Sequence, residues 1–190
     1  MSVAVEISTL FGVRGAGAYF GESVSMAEHG LQAAFFAQAD GAPPALVIAA
    51  LLHDVGHLVD VVPDDITDWI QDARHEESGA DWLAARFPLA ISEPVRLHVP
   101  AKRYLCAVDC AYFSRLSDPS LHTLKLQGGP MNAGEVAHFE QQPFHREAVC
   151  VRRWDDRGKI AGLGTPGLAA YRAMIEAAAL LGNASRKSAR

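Results

Sequence analysis

The stretch Ala45–Leu52 is an unbroken apolar run, and His53 and Asp54 follow it directly. Pro43 and Pro44 stand before it and suit a helix start. The spacing predicts one helix over Ala45–His57, apolar on nearly every side and therefore surrounded by other elements. A carboxylate inside such a helix costs several kcal/mol without a partner, or is forced neutral. A bound metal removes that problem. Adjacent helical residues lie about 100° apart, so His53 and Asp54 both reach one ion placed between them. Asp54 has two oxygens and can bridge two ions. His57 comes four residues after His53, one turn on along the same face.

The remainder of the chain also carries helical spacing. Ser23 is the expected cap of a helix through Gln38, with Val24, Ala27, Leu31, Ala34 and Phe35 on one stripe. Arg74–Phe87 repeats the pattern with Ala80, Leu83, Ala84 and Phe87. Further helices are predicted at Ser92–Val99, Lys102–Leu116, Pro119–Leu126, Ala133–Gln141, Phe144–Trp154 and Leu168–Leu181, separated by Gly- and Pro-rich breaks such as Pro63 and Pro100. Val59–Val62 is a short β-like run, and no alternating βα pattern appears. The expected fold is all-α. With 190 residues the chain reads as one domain, 1–182, followed by a solvated tail, 183–190.

Composition narrows the function classes. Hydrophobic residues make up 49% and charged residues 21%, which excludes a disordered chain. A net charge of −5 argues against nucleic acid or an anionic membrane held by bulk electrostatics. Met1–Phe11 has no basic segment before an apolar run, so no secretory signal is read there. The apolar run is far below the ~20 residues that span a bilayer. Cys106, Cys110 and Cys150 form no CxxC pair. They are expected to be free and mostly buried, Cys106 and Cys110 on one helix face, as fits a reducing cytoplasm. The sequence is silent on oligomeric state.

Eight histidines are present. His29, His75 and His98 fall at predicted helical positions, and Asp155 follows Trp154 near a helix end. Asp156 is its neighbour, and spacing does not choose between them. One ion can take His29, His53, Asp54 and Asp155; a second can take Asp54, His75 and His98 with positions left open. Imidazole and carboxylate together suit iron, manganese or zinc rather than calcium. Two metals bridged by one aspartate suit phosphate-ester hydrolysis or oxygen activation. His122, His138 and His145 read as ordinary surface or core residues. Lys102 lies four residues after His98. Ser120 and Thr123 fall in the first turn of a predicted helix, where hydroxyls and free N–H groups suit an anion.

The pattern His29…His53-Asp54…Asp155 resembles the H…HD…D signature of the HD-domain superfamily, an all-α fold of metal-dependent enzymes. His75 and His98 between the HD pair and the last aspartate resemble its dinuclear branch. Nearer still are the mixed-valent diiron oxygenases of phosphonate degradation. Nearly the whole chain shares in the likeness. It includes Tyr19-Phe20-Gly21-Glu22, the HDVGH run and His98-Val-Pro-Ala-Lys102-Arg-Tyr-Leu. It continues through Leu124-Lys-Leu-Gln-Gly-Gly-Pro-Met131, Arg152-Arg-Trp-Asp155 and Pro166-Gly167…Tyr171-Arg172.

The resemblance implies an Fe(II)/Fe(III) pair with O2 as cosubstrate. It assigns His29, His53, Asp54 and Asp155 to the first iron and Asp54, His75 and His98 to the second, with Asp54 bridging. Tyr19 is implied to sit on the second iron at rest and to leave when substrate binds. Glu22 is implied to receive the substrate's amino group. Lys102, Ser120 and Thr123 are implied phosphonate contacts, and His57 and Arg152 lie on the phosphonate or behind the metals. Tyr19, Asp54 and His57 are the implied catalytic residues. The implied reaction is oxidative cleavage of the C–P bond of a 1-hydroxy-2-aminoethylphosphonate, a small organophosphonate. It releases inorganic phosphate with glycine from the primary amine or glycine betaine from the N-trimethyl form. Glu22 and nearby aromatic faces, Tyr19, Phe20, Phe35 and Phe36, leave both headgroups open. The competing expectation is a divalent-metal phosphohydrolase acting on a nucleotide or other phosphate ester. It leaves Tyr19 and Glu22 without a task.

Overall fold

The computed structural model describes residues 1–17, 19, 21–60 and 74–188. Among them the chain is all-α, with no β-strand. The apolar run forms α3 (Pro44–Leu51), with proline at its first turn as expected. The helix does not continue to His57. It ends at Leu52, and a tight turn leads into the short α4 (Gly56–Val59). Val55 N–H donates to Leu52 O (3.0 Å) and His57 N–H to Asp54 O (3.1 Å). His53 and Asp54 therefore stand in a turn at the end of α3 rather than inside one helix. Ile48 and Leu52 are fully buried and Leu51 nearly so; each contributes about 1.5–3 kcal/mol by leaving water, which anchors the turn.

Around α3 lie α2 (Met26–Ala39), α6 (Leu89–Arg96) and α10 (His145–Arg157). The cap of α2 is Ser25, not Ser23: its hydroxyl accepts from Glu28 N–H, and the Glu28 carboxylate accepts from Ser25 N–H. The buried face of α2 is His29, Gly30, Gln32, Ala33, Ala34 and Ala37. Ala27, Leu31 and Phe35 are only half-buried. Small residues face inward because α2 packs against both α3 and α10. The α1 helix (Val3–Arg14) was not anticipated, although Ala4, Ile7 and Phe11 bury at helical spacing. A two-pronged Arg86–Glu6 contact (Nη2–Oε1 2.6 Å, Nε–Oε2 3.0 Å) ties it to the stretch after α5 (His75–Ala84).

The break expected at Pro100 falls earlier. Leu97 separates α6 from α7 (His98–Val108), and Pro100 lies in the first turn of α7, where an N–H is not needed. His98 and Lys102 thus share one helix, a turn apart. The helix stops at Val108 rather than Leu116, followed by a 3₁₀ turn at Phe113–Arg115. Cys110 consequently lies off the helix and is exposed, as is Cys150; Cys106 is half-buried, and all three are free. Then come α8 (Asp118–Leu126), capped by Ser117, and α9 (Ala133–Glu140), capped by Asn132. A 3₁₀ turn at Leu168–Tyr171 precedes α11 (Arg172–Ser188), which runs past the expected tail boundary at residue 183. Val59 closes α4; Val61, Val62, Pro63 and Phe20 lie outside the described residues. No described helix is long and apolar enough to cross a membrane.

Candidate metal centre and its pocket

Five elements deliver the donors. His29 comes from α2, His53 and Asp54 from the turn after α3, and His75 and His98 from the first positions of α5 and α7. Asp155 comes from α10. The backbone sets three of the rings. A carbonyl only accepts, so the nitrogen facing it carries the proton. His29 Nδ1 donates to Gly158 O (2.9 Å), His53 Nδ1 to Ala50 O (2.8 Å) and His98 Nδ1 to Val95 O (2.7 Å). Each Nε2 lone pair is left bare, as in a metal-binding imidazole. Close packing enforces the first contact: a Cβ on Gly158 would lie 3.1 Å from His29 O and 3.2 Å from its Nδ1.

The bare nitrogens converge in two groups that share Asp54. In the first, His29 Nε2 and His53 Nε2 are 3.0 Å apart. Asp155 Oδ1 is 3.3 Å and Asp54 Oδ2 3.6 Å from His29 Nε2, and Asp54 Oδ2 is 3.4 Å from His53 Nε2. In the second, Asp54 Oδ1 is 3.2 Å from His75 Nε2 and 3.5 Å from His98 Nε2, which are 3.3 Å apart. Asp54 offers one oxygen to each group. His29 and His53 are 0% exposed, His98 and Asp155 1%, and Asp54 8%.

Two lone pairs facing each other repel, and buried carboxylate oxygens without donors are costly. Asp54 Oδ2 and Asp155 Oδ1 are such atoms, buried with no hydrogen-bond partner. A cation between the donors resolves both problems. The donor set fits two ions, His29, His53, Asp54 and Asp155 around one and Asp54, His75 and His98 around the other. Burial works against charge on His53, yet with no cation between the donors the Asp54 carboxylate draws a proton onto the ring and carries its pKa up to about 9. Burial likewise would raise Asp54, but His53 beside it holds the carboxyl well below the usual range. The cluster attracts positive charge strongly.

The structure separates Asp155 from Asp156. Asp155 turns toward His29, with Oδ2 held by Arg152 Nη1 at 2.6 Å. Asp156 accepts from Tyr112 Oη (2.5 Å) and pairs with Arg152 Nη2. Arg152 Nε donates to Tyr112 Oη (3.0 Å), so the guanidinium is shared among three partners and braces Asp155.

Above the cluster lies a pocket. Tyr19, Glu22, Asp54, His57, His75, His98, Lys102, Ser120, Thr123, Arg152 and Asp155 all line it. His29 and His53 lie fully buried among the donors beneath. The Tyr19 ring stacks on His29 (centroids 4.0 Å, 17°), and its hydroxyl is hydrogen-bonded to Asp54. His57 stacks on His75 (4.0 Å, 21°). Burial, then the neighbouring His75, pushes His57 well below its usual pKa and keeps it neutral. Lys102 Nζ donates to Thr123 Oγ1 (2.8 Å). Burial, then nearby Arg152, brings its pKa down to about 7. Glu22 Oε1 accepts from Ser117 Oγ (2.6 Å).

Lys159 and Gln127 also line the pocket and were not singled out from sequence. The available signal for Lys159 was its place just past the RRWDD run. Phe35 and Phe36 pair with each other (5.5 Å) and do not line the pocket. His122 and His138 are exposed, and His145 Nδ1 bonds to Gln142 O (2.8 Å), away from the cluster.

No protein-family model matches the chain. It is 46% identical over 170 residues to the 1-hydroxy-2-(trimethylamino)ethylphosphonate dioxygenase (glycine-betaine-forming) of Leisingera caerulea, covering 90% of this chain and 87% of that one. It is 46% identical over 159 residues to the hydroxymethylphosphonate dioxygenase of Gimesia maris, covering 83% and 79%. An uncharacterised protein of Acanthamoeba polyphaga mimivirus is 32% identical over 171 residues. On that likeness the chain belongs to the phosphonate dioxygenase family: it is an oxygenase of all-α fold with a cluster of histidines and aspartates suited to holding metal.

Proposed function

We propose that the protein uses O2 and an Fe(II)/Fe(III) pair to cleave the C–P bond of a 1-hydroxyalkylphosphonate. The products are inorganic phosphate and a carboxylic acid. The observation that carries this reading is the shared Asp54, one oxygen to each donor group, at the floor of a pocket with Lys102 and Thr123 in its wall. A C–P bond lacks the leaving group that an ester offers to water, so oxidation is required.

The atoms balance with O2 as the only co-reactant. The acid keeps the substrate's hydroxyl oxygen and gains one oxygen atom. The phosphate keeps three oxygens and gains the other. Hydroxymethylphosphonate gives formate by this scheme, the 2-amino substrate gives glycine, and its N-trimethyl form gives glycine betaine.

His29, His53, Asp54 and Asp155 would hold one iron; Asp54, His75 and His98 would hold the other. When bound, the pair supplies the redox chemistry with dioxygen that side chains lack. The side chains position and neutralise. Lys102, steadied by Thr123, meets the phosphonate with its ammonium. Ser120 from the first turn of α8 and Thr123 from the second add hydroxyl contacts. His57, neutral beside His75, offers a ring nitrogen to the same group without adding charge. Arg152 keeps Asp155 aimed at His29. Burial, then Asp54, keeps the Tyr19 hydroxyl protonated in the metal-free cluster; with iron bound, Tyr19 would supply a phenolate ligand to it. Glu22 faces the substituent on C1.

The test is phosphate release by iron-loaded, partly reduced protein given hydroxymethylphosphonate and the amino and trimethylamino substrates. Release in air and none under argon is the expected result. Release under argon from phosphate esters with manganese or magnesium, and none from phosphonates, would hand the site to hydrolysis.

A further inference from the structure

The structure builds a site around Lys159. Its backbone is clamped on both sides. Gly158 O accepts from His29 Nδ1 (2.9 Å). Ile160 N–H donates to Gln32 Oε1 (3.0 Å), and Gln32 Nε2 donates to Ile160 O (2.8 Å). Gln32 is 1% exposed while Ile160 is 49% exposed, so this clamp is anchored from the buried side. The Lys159 side chain is 12% exposed and its ammonium has two polar partners. Nζ donates to Ser120 Oγ at 2.9 Å and lies 3.2 Å from Glu22 Oε1.

The consequence falls on Glu22. Its carboxylate is the group available to a cationic substituent, yet Lys159 already neutralises it, and both side chains are only 12% exposed. An exposed lysine would swing aside into water. This one is fixed at its backbone and shielded from screening salt. A substrate ammonium brought to Glu22 must then share the carboxylate with a like charge.

We propose that Lys159 determines specificity in this pocket. By neutralising Glu22 it directs the protein to 1-hydroxyalkylphosphonates with a small uncharged substituent on C1, and away from amine-bearing ones. The inference rests on the phosphonate dioxygenase reading above.

The test compares kcat/KM for hydroxymethylphosphonate with that for the amino and trimethylamino substrates, measured in air. Dissociation constants for the same compounds are measured under argon by titration calorimetry. Wild-type protein favours hydroxymethylphosphonate by at least about tenfold, as expected for like charges brought together. K159M and K159Q shift both ratios toward the amine-bearing compounds by at least about tenfold, K159R keeps the wild-type ratios, and K159M/E22Q loses the shift. Wild-type preference for an amine-bearing compound, or ratios that K159M and K159Q leave unmoved, would overturn the proposal. If no phosphonate yields phosphate in air, the oxygenase reading fails, and the dissociation constants still decide the role of Lys159.

Discussion

Gly56 stands where α4 meets α5, two residues after Asp54, whose carboxylate offers one oxygen to each donor group. A Cβ placed there would lie 2.0 Å from His75 O, 2.8 Å from His75 C and 2.9 Å from Ser78 Oγ. The first two are backbone atoms and cannot rotate away, so Gly56→Ala must push the start of α5 off α4. Overpacking of this kind costs about 1–3 kcal/mol, and the rigid partner puts it near the upper end. At roughly 2–4 °C per kcal/mol for a chain of this size, melting should fall by about 6–12 °C. The displaced residue is His75, whose Nε2 is 3.2 Å from Asp54 Oδ1. Metal sites tolerate misplacement of only about 0.5 Å. The second ion should therefore be lost while the first, held by His29, His53, Asp54 and Asp155, stays. Thermal melting and elemental analysis of purified protein read both effects. Two metals per chain with unchanged melting would refute the claim that this crossing positions His75.

Three further outcomes are expected. Asp54→Ala should remove both metals, since each donor group uses one of its oxygens; an unchanged metal count by elemental analysis contradicts the shared bridge. Tyr19→Phe should keep iron bound but abolish the visible phenolate–Fe(III) charge-transfer band, and a band that persists shows that Tyr19 is not a ligand. Lys102 has its pKa brought down to about 7, so its charged form dominates below that pH and is lost above it. Phosphonate affinity should weaken as pH rises from about 7 to 9, by up to about tenfold per unit, and Lys102→Arg should flatten the decline because a guanidinium stays charged. Equal slopes in the two proteins would rule out Lys102 as the titrating group.

The donors were legible in the sequence because an aspartate after so apolar a run has few physical uses, and His29, His75 and His98 stood at helical positions around it. The helical class was legible for the same reason, that apolar spacing follows the helix period over most of the chain. The boundaries were harder. Ser23 and Ser25 are both sound caps, and only the reciprocal bonds with Glu28 decide for Ser25. The break after Leu51 carries no Gly or Pro of its own before Gly56, so nothing local announces that His53 and Asp54 leave the helix. Pro100 reads as a breaker along the chain and is harmless in a first turn. Asp155 and Asp156 differ only through their partners, His29 and Arg152 for one, Tyr112 and Arg152 for the other. For Lys159 the sequence offers only its place just past the RRWDD run, because its entry into the pocket depends on long-range bonds of its neighbours Gly158 and Ile160 to His29 and Gln32 that spacing does not encode.

The most direct test of the central claim is the fate of oxygen during turnover. Iron-loaded protein is given hydroxymethylphosphonate under oxygen-18 gas in ordinary water, and the products are weighed by mass spectrometry. The account predicts one labelled oxygen in the carboxylic acid and one in the phosphate for each C–P bond broken. Phosphate and acid that draw their new oxygens from water would contradict it.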